Sequence, residues 1–346
     1  MNYLSWIFFP LHRLAVVLFL AIFLAACGSG GGGGSNSNAN ATGALQPVIY
    51  VGNSNGAVIT GANAKTLAAF AMSDFGTRYA GQVVSGVDVQ TAQVSGKPIF
   101  VHIADTLQKS LKSVKLNPVN VNGVSIQDTG TVACVPSGSA TVNITVDSAG
   151  DFTGSIRYSA CNDEGVGALS GNIAIQGHIL ATGNLESITS AGTFAFTQGA
   201  QSNTFTGSLT TQYGYDTSGL PISASITATV DIRNDTANGE YIRFNNFVVK
   251  NLFGGTYSDI SYDGVMCHWL EGCGLVATPA TFRFQDVPDP GPFPGGLEIT
   301  GALTPLGYSK LRLTGVDKNS YNLEWDTLGT GTYTPPLLQL WSNFRL

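Results

Sequence analysis

Apolar and polar residues alternate along most of the chain after residue 119, and a period of two predicts β-strands. The clearest case is residues 140–146 followed by residues 151–158, with the turn Asp147-Ser-Ala-Gly150 between them. Comparable segments continue toward the C-terminus at residues 168–179, 193–197, 204–213, 222–231, 241–250, 256–261, 297–303, 311–316 and 321–325. Short turn sequences separate these segments, so the chain is predicted to fold as an antiparallel meander.

This many strands cannot stay in one flat sheet, because large twisted sheets curl, split or close. The predicted fold class is therefore mainly β. We expect a large curled antiparallel sheet, a half-barrel or a sandwich-like meander, that packs on one or two N-terminal helices. Residues 45–346 are expected to form this single β-rich domain, beginning with a strand, a turn and a second strand over residues 45–59.

Two segments near the N-terminus are predicted to be helices. Residues 63–74 are rich in alanine, which has the highest helix propensity. Residues 98–116 carry an apolar stripe at helical spacing, formed by Phe100, Ile103, Leu107, Leu111 and Val114. Three lysines, Lys109, Lys112 and Lys115, fall on another face of this second helix. The stripe needs an apolar partner, and we expect the concave side of the sheet to provide it.

An uninterrupted apolar run extends from Leu14 to Ala26, directly after His12 and Arg13. A positive start followed by an apolar segment too short to span a bilayer predicts a secretory signal over residues 1–26. The run ends in Leu24-Ala-Ala-Cys27, which resembles a bacterial lipobox. That resemblance implies that Cys27 becomes the first mature residue and carries lipid. The alternative is an ordinary cleaved signal with a coincidental cysteine.

Residues 27–44 join the predicted lipidation site to the β-rich body. Five consecutive glycines, Gly30 to Gly34, are followed by serine, asparagine and alanine, a composition that predicts a flexible tether. The chain contains 16 Lys and Arg residues against 22 acidic ones, and only Arg13 lies in the signal, so the mature chain has a formal charge of −7. This acidity argues against nucleic acid and against electrostatic docking on anionic lipid.

Four cysteines remain after Cys27. Four thiols in an exported protein suggest two disulfides with three possible connectivities, and proximity in sequence favours pairing Cys134 with Cys161 and Cys267 with Cys273. A zinc site is the weaker alternative, because the spacings are irregular.

Three stretches resemble proteobacterial outer-membrane lipoproteins. They are residues 63–64 at the start of a helix behind the tether, residues 134–177 from Cys134-Val-Pro-Ser-Gly to Gly177, and residues 294–326 followed by Trp341. The resemblance supports the pairing of Cys134 with Cys161. Gly28, where inner-membrane lipoproteins of enterobacteria carry Asp, implies outer-membrane transfer. Relatives often have an acidic loop like a calcium site after the last strand, but residues 326–331 here hold one carboxylate, so no metal site is expected.

Candidate polar sites are few. His268 and Glu271 lie inside the small Cys267–Cys273 ring beside Trp269, where an imidazole and a carboxylate could hold a metal or relay a proton. Glu324 and Asp326 alternate on a strand and so face the same side, as a pair of catalytic carboxylates would. His102 is expected to be a polar residue on the flank of its helix, and His178 to be exposed.

These candidates compete with simpler structural explanations, a stapled loop for His268 and a polar strand face for Glu324. No catalytic residue and no cofactor is therefore predicted. The function expected from the sequence is a lipid-anchored cell-envelope protein, on the outer membrane, with a binding or scaffolding role. Its partner would be an apolar ligand in the concave face or another envelope protein. The alternatives are a hydrolase of envelope or extracellular polymer and a surface adhesin.

Overall fold

The computed structural model describes residues 45–73, 99–113, 126–163, 165, 167–236, 240–254, 256–285, 291–341 and 344. The predicted signal, Cys27 and tether lie outside these residues, as do Val114 and Lys115. Within them the chain forms helix α1 (Ala64–Ser73) and helix α2 (Ile99–Ser113). Both predicted helices are thus confirmed over the described part of their ranges.

A single antiparallel sheet of 15 strands follows the helices and does not close. Its strands are β1 (Ile126–Ala133), β2 (Pro136–Val146), β3 (Asp151–Asp163), β4 (Ala168–Ile179), β5 (Leu185–Gln198), β6 (Gln201–Tyr215), β7 (Pro221–Asn234), β8 (Tyr241–Phe253), β9 (Tyr257–His268), β10 (Gly272–Ala280), β11 (Phe282–Gln285), β12 (Gly296–Thr304), β13 (Gly307–Gly315), β14 (Ser320–Asp326) and β15 (Leu337–Leu340). Strands pair in chain order, except that β11 pairs with β9 and β12 therefore follows β10. The predicted meander is confirmed.

Alternate residues of each long strand point to an apolar inner face and a polar outer face. In β7 the buried set is Ala224, Ile226, Ala228, Val230 and Ile232. The residues between them are serine, threonine and aspartate, which are partly or fully exposed. One face of the sheet is therefore core, which fixes the register of each strand.

Both helices pack on the inner face. Helix α2 contacts β1, β2, β7 and β8, and helix α1 contacts β9, β12, β13 and β14. The predicted stripe of α2 is buried at Phe100, Ile103, Leu107 and Leu111, each at most 2% exposed. Together the two helices cover the inner face along much of its width.

His102 corrects the sequence-based expectation of a polar residue on the flank of its helix. It is only 2% exposed, and its ring lies 6.0 Å from the ring of Phe196. Thr106 and Ser110 of the same helix are also buried, and their hydroxyls donate to carbonyl oxygens one turn earlier at 3.0 and 2.8 Å. The curled sheet therefore encloses more of α2 than its apolar stripe indicates.

Two glycines face each other on the inner side of neighbouring strands. Gly192 of β5 pairs with Gly207 of β6, and both have φ of +148°. A Cβ added to Gly207 would collide with the carbonyl oxygen of Thr229. The pair leaves a gap without side chains, and such glycine kinks let a sheet bend toward its core.

We expect Gly207→Ala to lower the free energy of unfolding by about 1–3 kcal/mol, because the new Cβ needs both a strained φ and a shift of β7. Denaturant unfolding followed by circular dichroism measures the change. Gly296→Ala is the matched control, since its Cβ would meet only ordinary contacts at 3.6–4.0 Å. Equal denaturant midpoints for Gly207→Ala and Gly296→Ala would contradict the requirement for glycine at the kink.

Residues 45–59, here called the N-terminal strap, were predicted to be two strands, and that prediction is wrong. The strap has no regular strand and instead crosses the outer face of the sheet from strand to strand. The amide of Val48 donates to Thr206 Oγ1 of β6 at 2.8 Å, and the amide of Tyr50 donates to Asp231 Oδ2 of β7 at 2.9 Å. Because it runs across the strands, its amides find one partner on each.

The strap then passes through the sheet between β10 and β12. The amide of Ala57 donates to the carbonyl oxygen of Cys273 in β10, and the amide of Ala302 in β12 donates to the carbonyl oxygen of Ala57, both at 2.7 Å. Ala57 and Ile59 are completely buried, and α1 begins shortly afterwards on the inner face. The strap thereby connects the outer face of the sheet to its core.

Candidate functional site

His268 lies at the end of β9, where the β9–β10 hairpin meets the first helix. The neighbouring Cys267 and Cys273 are directly opposite in register and form a disulfide. The imidazole is 5% exposed and its ring centroid is 4.6 Å from that of Phe70 in α1. Its Nδ1 accepts a long hydrogen bond of 3.4 Å from the amide of Glu271. This histidine is therefore packed between the hairpin and the helix.

The side chain of Glu271 is hydrogen-bonded to Asn63, the residue just before α1. Its Oε2 accepts a hydrogen bond of 2.7 Å from Asn63 Nδ2. Asn63 also accepts the amide of Thr60 on Oδ1 at 2.8 Å and donates to the carbonyl oxygen of Val58 at 3.0 Å. The carboxylate thus completes the side-chain contacts that hold the first turn of the helix to the strap.

Burial lowers the pKa of His268, and the nearby carboxylates of Glu271 and Glu240 oppose that shift without reversing it. The imidazole is therefore neutral at pH 7. A neutral ring that packs against Phe70 at a tilt of 38° links α1 to the β9–β10 hairpin. The contacts of His268 and Glu271 hold the helix and the hairpin together.

The lowered pKa of His268 predicts a pH dependence of stability. The unfolded state binds a proton near the ordinary value of 6.5, whereas the folded state resists it, so acid favours unfolding. The stabilising effect is complete above about pH 7 and declines as the pH falls below 6.5 toward the lower folded pKa. We expect the fall in free energy of unfolding between pH 7.5 and 5.5 to be smaller in His268→Gln than in the parent chain.

Substitution of a second histidine, His178, serves as the control for this measurement. His178, predicted to be exposed, is half-buried at the side of the sheet, with Nδ1 2.8 Å from Asp151 Oδ1. Unfolding midpoints of His178→Gln and His268→Gln are compared across the same pH range. Identical pH profiles of the parent and His268→Gln would refute the role of the buried ring.

The second pair of candidates, Glu324 and Asp326, faces the same side of β14, as predicted. Glu324 is opposite Arg312 and Asp326 is opposite Lys310 of β13, on the outer face. Asp326 is nevertheless only 4% exposed, because the loop that follows it folds back over the carboxylate. The two carboxylates thus face different surroundings.

Asp326 organises that loop. Its Oδ1 accepts the amide of Gly329 at 2.9 Å, and its Oδ2 accepts the amide of Gly331 at 2.6 Å. Burial alone would raise the pKa of the Asp326 carboxyl, but the backbone amides of Gly331, Thr330 and Gly329 outweigh it and lower the pKa. The carboxylate is therefore ionised at neutral pH and bound to the turn that it closes.

The structure places His268 with Glu271 at the β9–β10 turn and Asp326 with its own loop after β14. Among the described residues, no hydrogen bond or ion pair joins the two pairs. Within the same residues, no group of three or more His, Cys, Asp or Glu side chains is placed to hold a metal ion. His268, Glu271 and Asp326 have hydrogen-bond partners in their own turns or, for Glu271, in Asn63 just before α1.

Sequence reasoning missed the charged pairs of the outer face. Arg243 makes two hydrogen bonds to Asp231, of 2.7 and 2.9 Å, and lies over the ring of Tyr50. Arg283 pairs in the same way with Asp259, at 2.8 and 2.7 Å, and lies over the ring of Tyr257. The sequence signal that could have revealed these ion pairs is the occurrence of opposite charges at outward positions of neighbouring strands.

The outer face of β5 and β6 has a different character. Residues 187–215 contain no charged side chain. Outward threonines and serines hydrogen-bond across the strands in three pairs, Thr189 with Thr210 at 3.1 Å, Thr193 with Thr206 at 3.0 Å and Thr197 with Ser202 at 3.3 Å. This two-strand face is uncharged and rich in hydroxyls, and the strap crosses it at Thr206.

Both predicted disulfides are confirmed. Cys134 precedes β2 and bonds to Cys161 of β3, with 5.3 Å between the Cα atoms. Cys267 of β9 bonds to Cys273 of β10, with 3.9 Å between the Cα atoms. Both disulfides lie at the end of the sheet where β3 and β9 finish, so this end is covalently fixed in two places.

Neither described helix is long and apolar enough to cross a membrane. No protein-family model matches the chain, and no curated protein or solved structure matches it.

Proposed function

We propose that this chain is a lipoprotein of the bacterial cell envelope, anchored in the outer membrane through lipid on Cys27. Its role is to bind or scaffold another envelope protein. The apolar run, the lipobox and the uncharged tether motivate the location. One structural observation supports the role: the two helices occupy the inner face, so the accessible sheet surface is the outer one.

An apolar ligand in the concave face is not part of this proposal. The inward residues that would line such a site pack instead against α1 and α2. Phe100 of α2, for example, meets Phe244 of β8 edge-on, with 5.2 Å between ring centroids. A cargo molecule would have to displace a buried helix, at the cost of the apolar area that the helix buries.

The hydroxyl-rich outer face of β5 and β6, on either side of the point where the strap bonds to Thr206, is the surface to which we assign the partner. Its threonine pairs fix the side chains in place, and uncharged hydroxyls can be desolvated at lower cost than charged groups. A partner can therefore form hydrogen bonds to a rigid array with little loss of side-chain entropy. Another envelope protein with a complementary polar face fits this chemistry.

The location is tested by mass spectrometry of the N-terminal peptide from the membrane fraction. We expect the mature chain to begin at Cys27 and to carry the mass of attached acyl chains. Cys27→Ser should release the protein from the membrane into the soluble envelope fraction. An intact precursor in the cytosol, or a mature peptide without acyl mass, would refute the anchor.

The binding role is tested by site-specific photo-crosslinking in cells. A photoreactive residue at Ser208, on the outer face of β6, should give a discrete adduct with one protein. The same residue at Thr314, an outward position of β13, is the control and should not give that adduct. No adduct at Ser208, or the same adduct at both positions, would refute the assigned face.

The hydrolase alternative predicts a different result. Turnover in a screen of envelope and extracellular polymers would have to disappear in Glu324→Gln or His268→Ala. Turnover that depends on these residues would replace the binding proposal with an enzymatic function.

A further inference from the structure

Four large apolar side chains are exposed together at one end of the sheet. Leu303, Leu306 and Tyr308 lie in and beside the β12–β13 turn, and Leu328 lies in the loop after β14. Their exposed fractions are 69%, 65%, 52% and 60%, respectively. We call these four residues the apolar tip. Burial of such side chains normally stabilises a protein, so their shared exposure calls for a partner.

The backbone beneath the apolar tip holds the two turns together. Leu303 and Tyr308 are opposite each other in register. The hydroxyl of Thr304 donates to the carbonyl oxygen of Gly307 at 2.8 Å and is also hydrogen-bonded to the carbonyl oxygen of Leu328. The loop of Leu328 is closed in turn by Asp326. The tip is therefore presented on a fixed frame.

The chemistry of the tip fits lipid better than protein. Residues 299–309 and 327–344 contain no charged side chain. Cores of protein interfaces are enriched in Trp, Tyr, Phe, Met and Arg. Leucines that project from turns, beside one tyrosine, match the residues that enter the interface of a bilayer.

The C-terminal part of the strap lies beside the tip, and its N-terminal part leads toward the predicted tether. The amide of Ala302, next to Leu303, donates to the carbonyl oxygen of Ala57 in the strap. From there the strap runs back to Val48, which bonds to Thr206 of β6 about five strand spacings or roughly 24 Å away. The 18 residues from Cys27 to Ala44 have a composition that predicts a reach of roughly 20–25 Å. A bilayer that holds Cys27 is therefore within reach of the tip.

We propose that the apolar tip rests in the interface of the membrane that carries the lipid anchor, and so fixes the orientation of the sheet on that membrane. This inference rests on the proposed lipid anchor for the identity of the membrane. The tip adds a second contact, held on a rigid frame, to the one that the lipid on Cys27 makes. The opposite end of the sheet, with the turn at Leu220, then points away from the bilayer.

The test measures binding of the mature-length chain, residues 27–346 with Cys27→Ala, to vesicles. Vesicles of phosphatidylcholine alone and of phosphatidylcholine with one quarter phosphatidylglycerol are compared by sedimentation. We expect binding to both, with affinities within about threefold, because the tip has no charge. The double variant Leu306→Ser/Leu328→Ser should bind at least about tenfold more weakly, since two apolar side chains no longer insert.

Leu220→Ser is the matched control, because Leu220 is 63% exposed in the turn at the opposite end of the sheet. It should bind like the parent, and all three proteins should unfold at the same denaturant concentration. Absence of binding by the parent at millimolar lipid, or equal binding by the double variant, would overturn the inference. So would a dimer of the parent that only the double variant dissociates, because the tip would then be a contact between copies.

The result does not depend on acylation in cells, because residue 27 carries no lipid in this assay. A cellular protein without acyl mass would refute the proposed anchor and leave the vesicle result as it stands. If the double variant binds vesicles as tightly as the parent, the proposed membrane contact of the tip is refuted, whereas the proposed lipid anchor is not affected.

Discussion

Phe100→Ala is expected to lower the free energy of unfolding by about 3–5 kcal/mol, among the largest effects of any single truncation in this molecule. Phe100 is completely buried between α2 and the inner face. Its ring meets Phe244 edge-on, and Phe244 in turn meets Phe247 with 4.7 Å between ring centroids. Truncation removes the transfer free energy of the ring and leaves a cavity that a closed aromatic cluster cannot fill.

Urea unfolding monitored by intrinsic fluorescence and circular dichroism measures this loss. Lys109→Ala in the same helix is the control, because Lys109 is exposed and its ion pair with Asp163 lies near the surface. That change should cost less than about 1 kcal/mol. A loss below 1 kcal/mol for Phe100→Ala would show that α2 is not part of the cooperative core.

The sheet could be predicted because the sequence patterns that specify its strands and turns are local. Alternation with period two in residues 140–158 identifies a hairpin, and the turn residues between the segments give its antiparallel pairing. The stripe of Phe100, Ile103 and Leu107 likewise identifies the buried side of α2. In each case the pattern of a few neighbouring residues indicates which face of the strand or helix is buried.

The surroundings of α2 and the path of the strap could not be predicted in this way. His102 is polar, yet the curled sheet encloses it, and only the tertiary structure decides how much of a helix is covered. The strap is extended and rich in β-branched residues, which favours a strand. Its amides nevertheless bond to Thr206 and Asp231, 158 and 181 residues away in sequence. No local pattern reveals such partners.

The candidate polar residues show the same limit. His268, Glu271 and Asp326 were selected because their chemistry suits metals and proton transfer. In the structure, Glu271 is hydrogen-bonded to Asn63, 208 residues earlier, and Asp326 is hydrogen-bonded to the amides of its own turn. The residue types were informative about burial and hydrogen bonding, whereas catalysis requires a convergence of groups that spacing alone does not encode.

Removal of the Cys134–Cys161 disulfide should cost more than removal of the Cys267–Cys273 disulfide. The first bridges a sequence separation of 27 residues and the second only 6, so the first restricts the unfolded chain more. Loop-closure entropy gives about 3–4 kcal/mol for the longer loop and about 2–2.5 kcal/mol for the shorter one. The double variants Cys134→Ala/Cys161→Ala and Cys267→Ala/Cys273→Ala, each with the other disulfide intact, are compared by denaturant unfolding.

This comparison separates two roles of the shorter disulfide. If it acts only on the unfolded chain, its variant keeps the native contacts of the strap and loses less stability than the other. Cys273 also binds the strap, however, through its amide to Asn55 and its carbonyl oxygen to Ala57, both at 2.7 Å. A larger loss for Cys267→Ala/Cys273→Ala would contradict the entropic order and would show that this disulfide holds the passage of the strap through the sheet. Hydrogen exchange at the Ala57 amide distinguishes the cases, since it rises only if that passage opens.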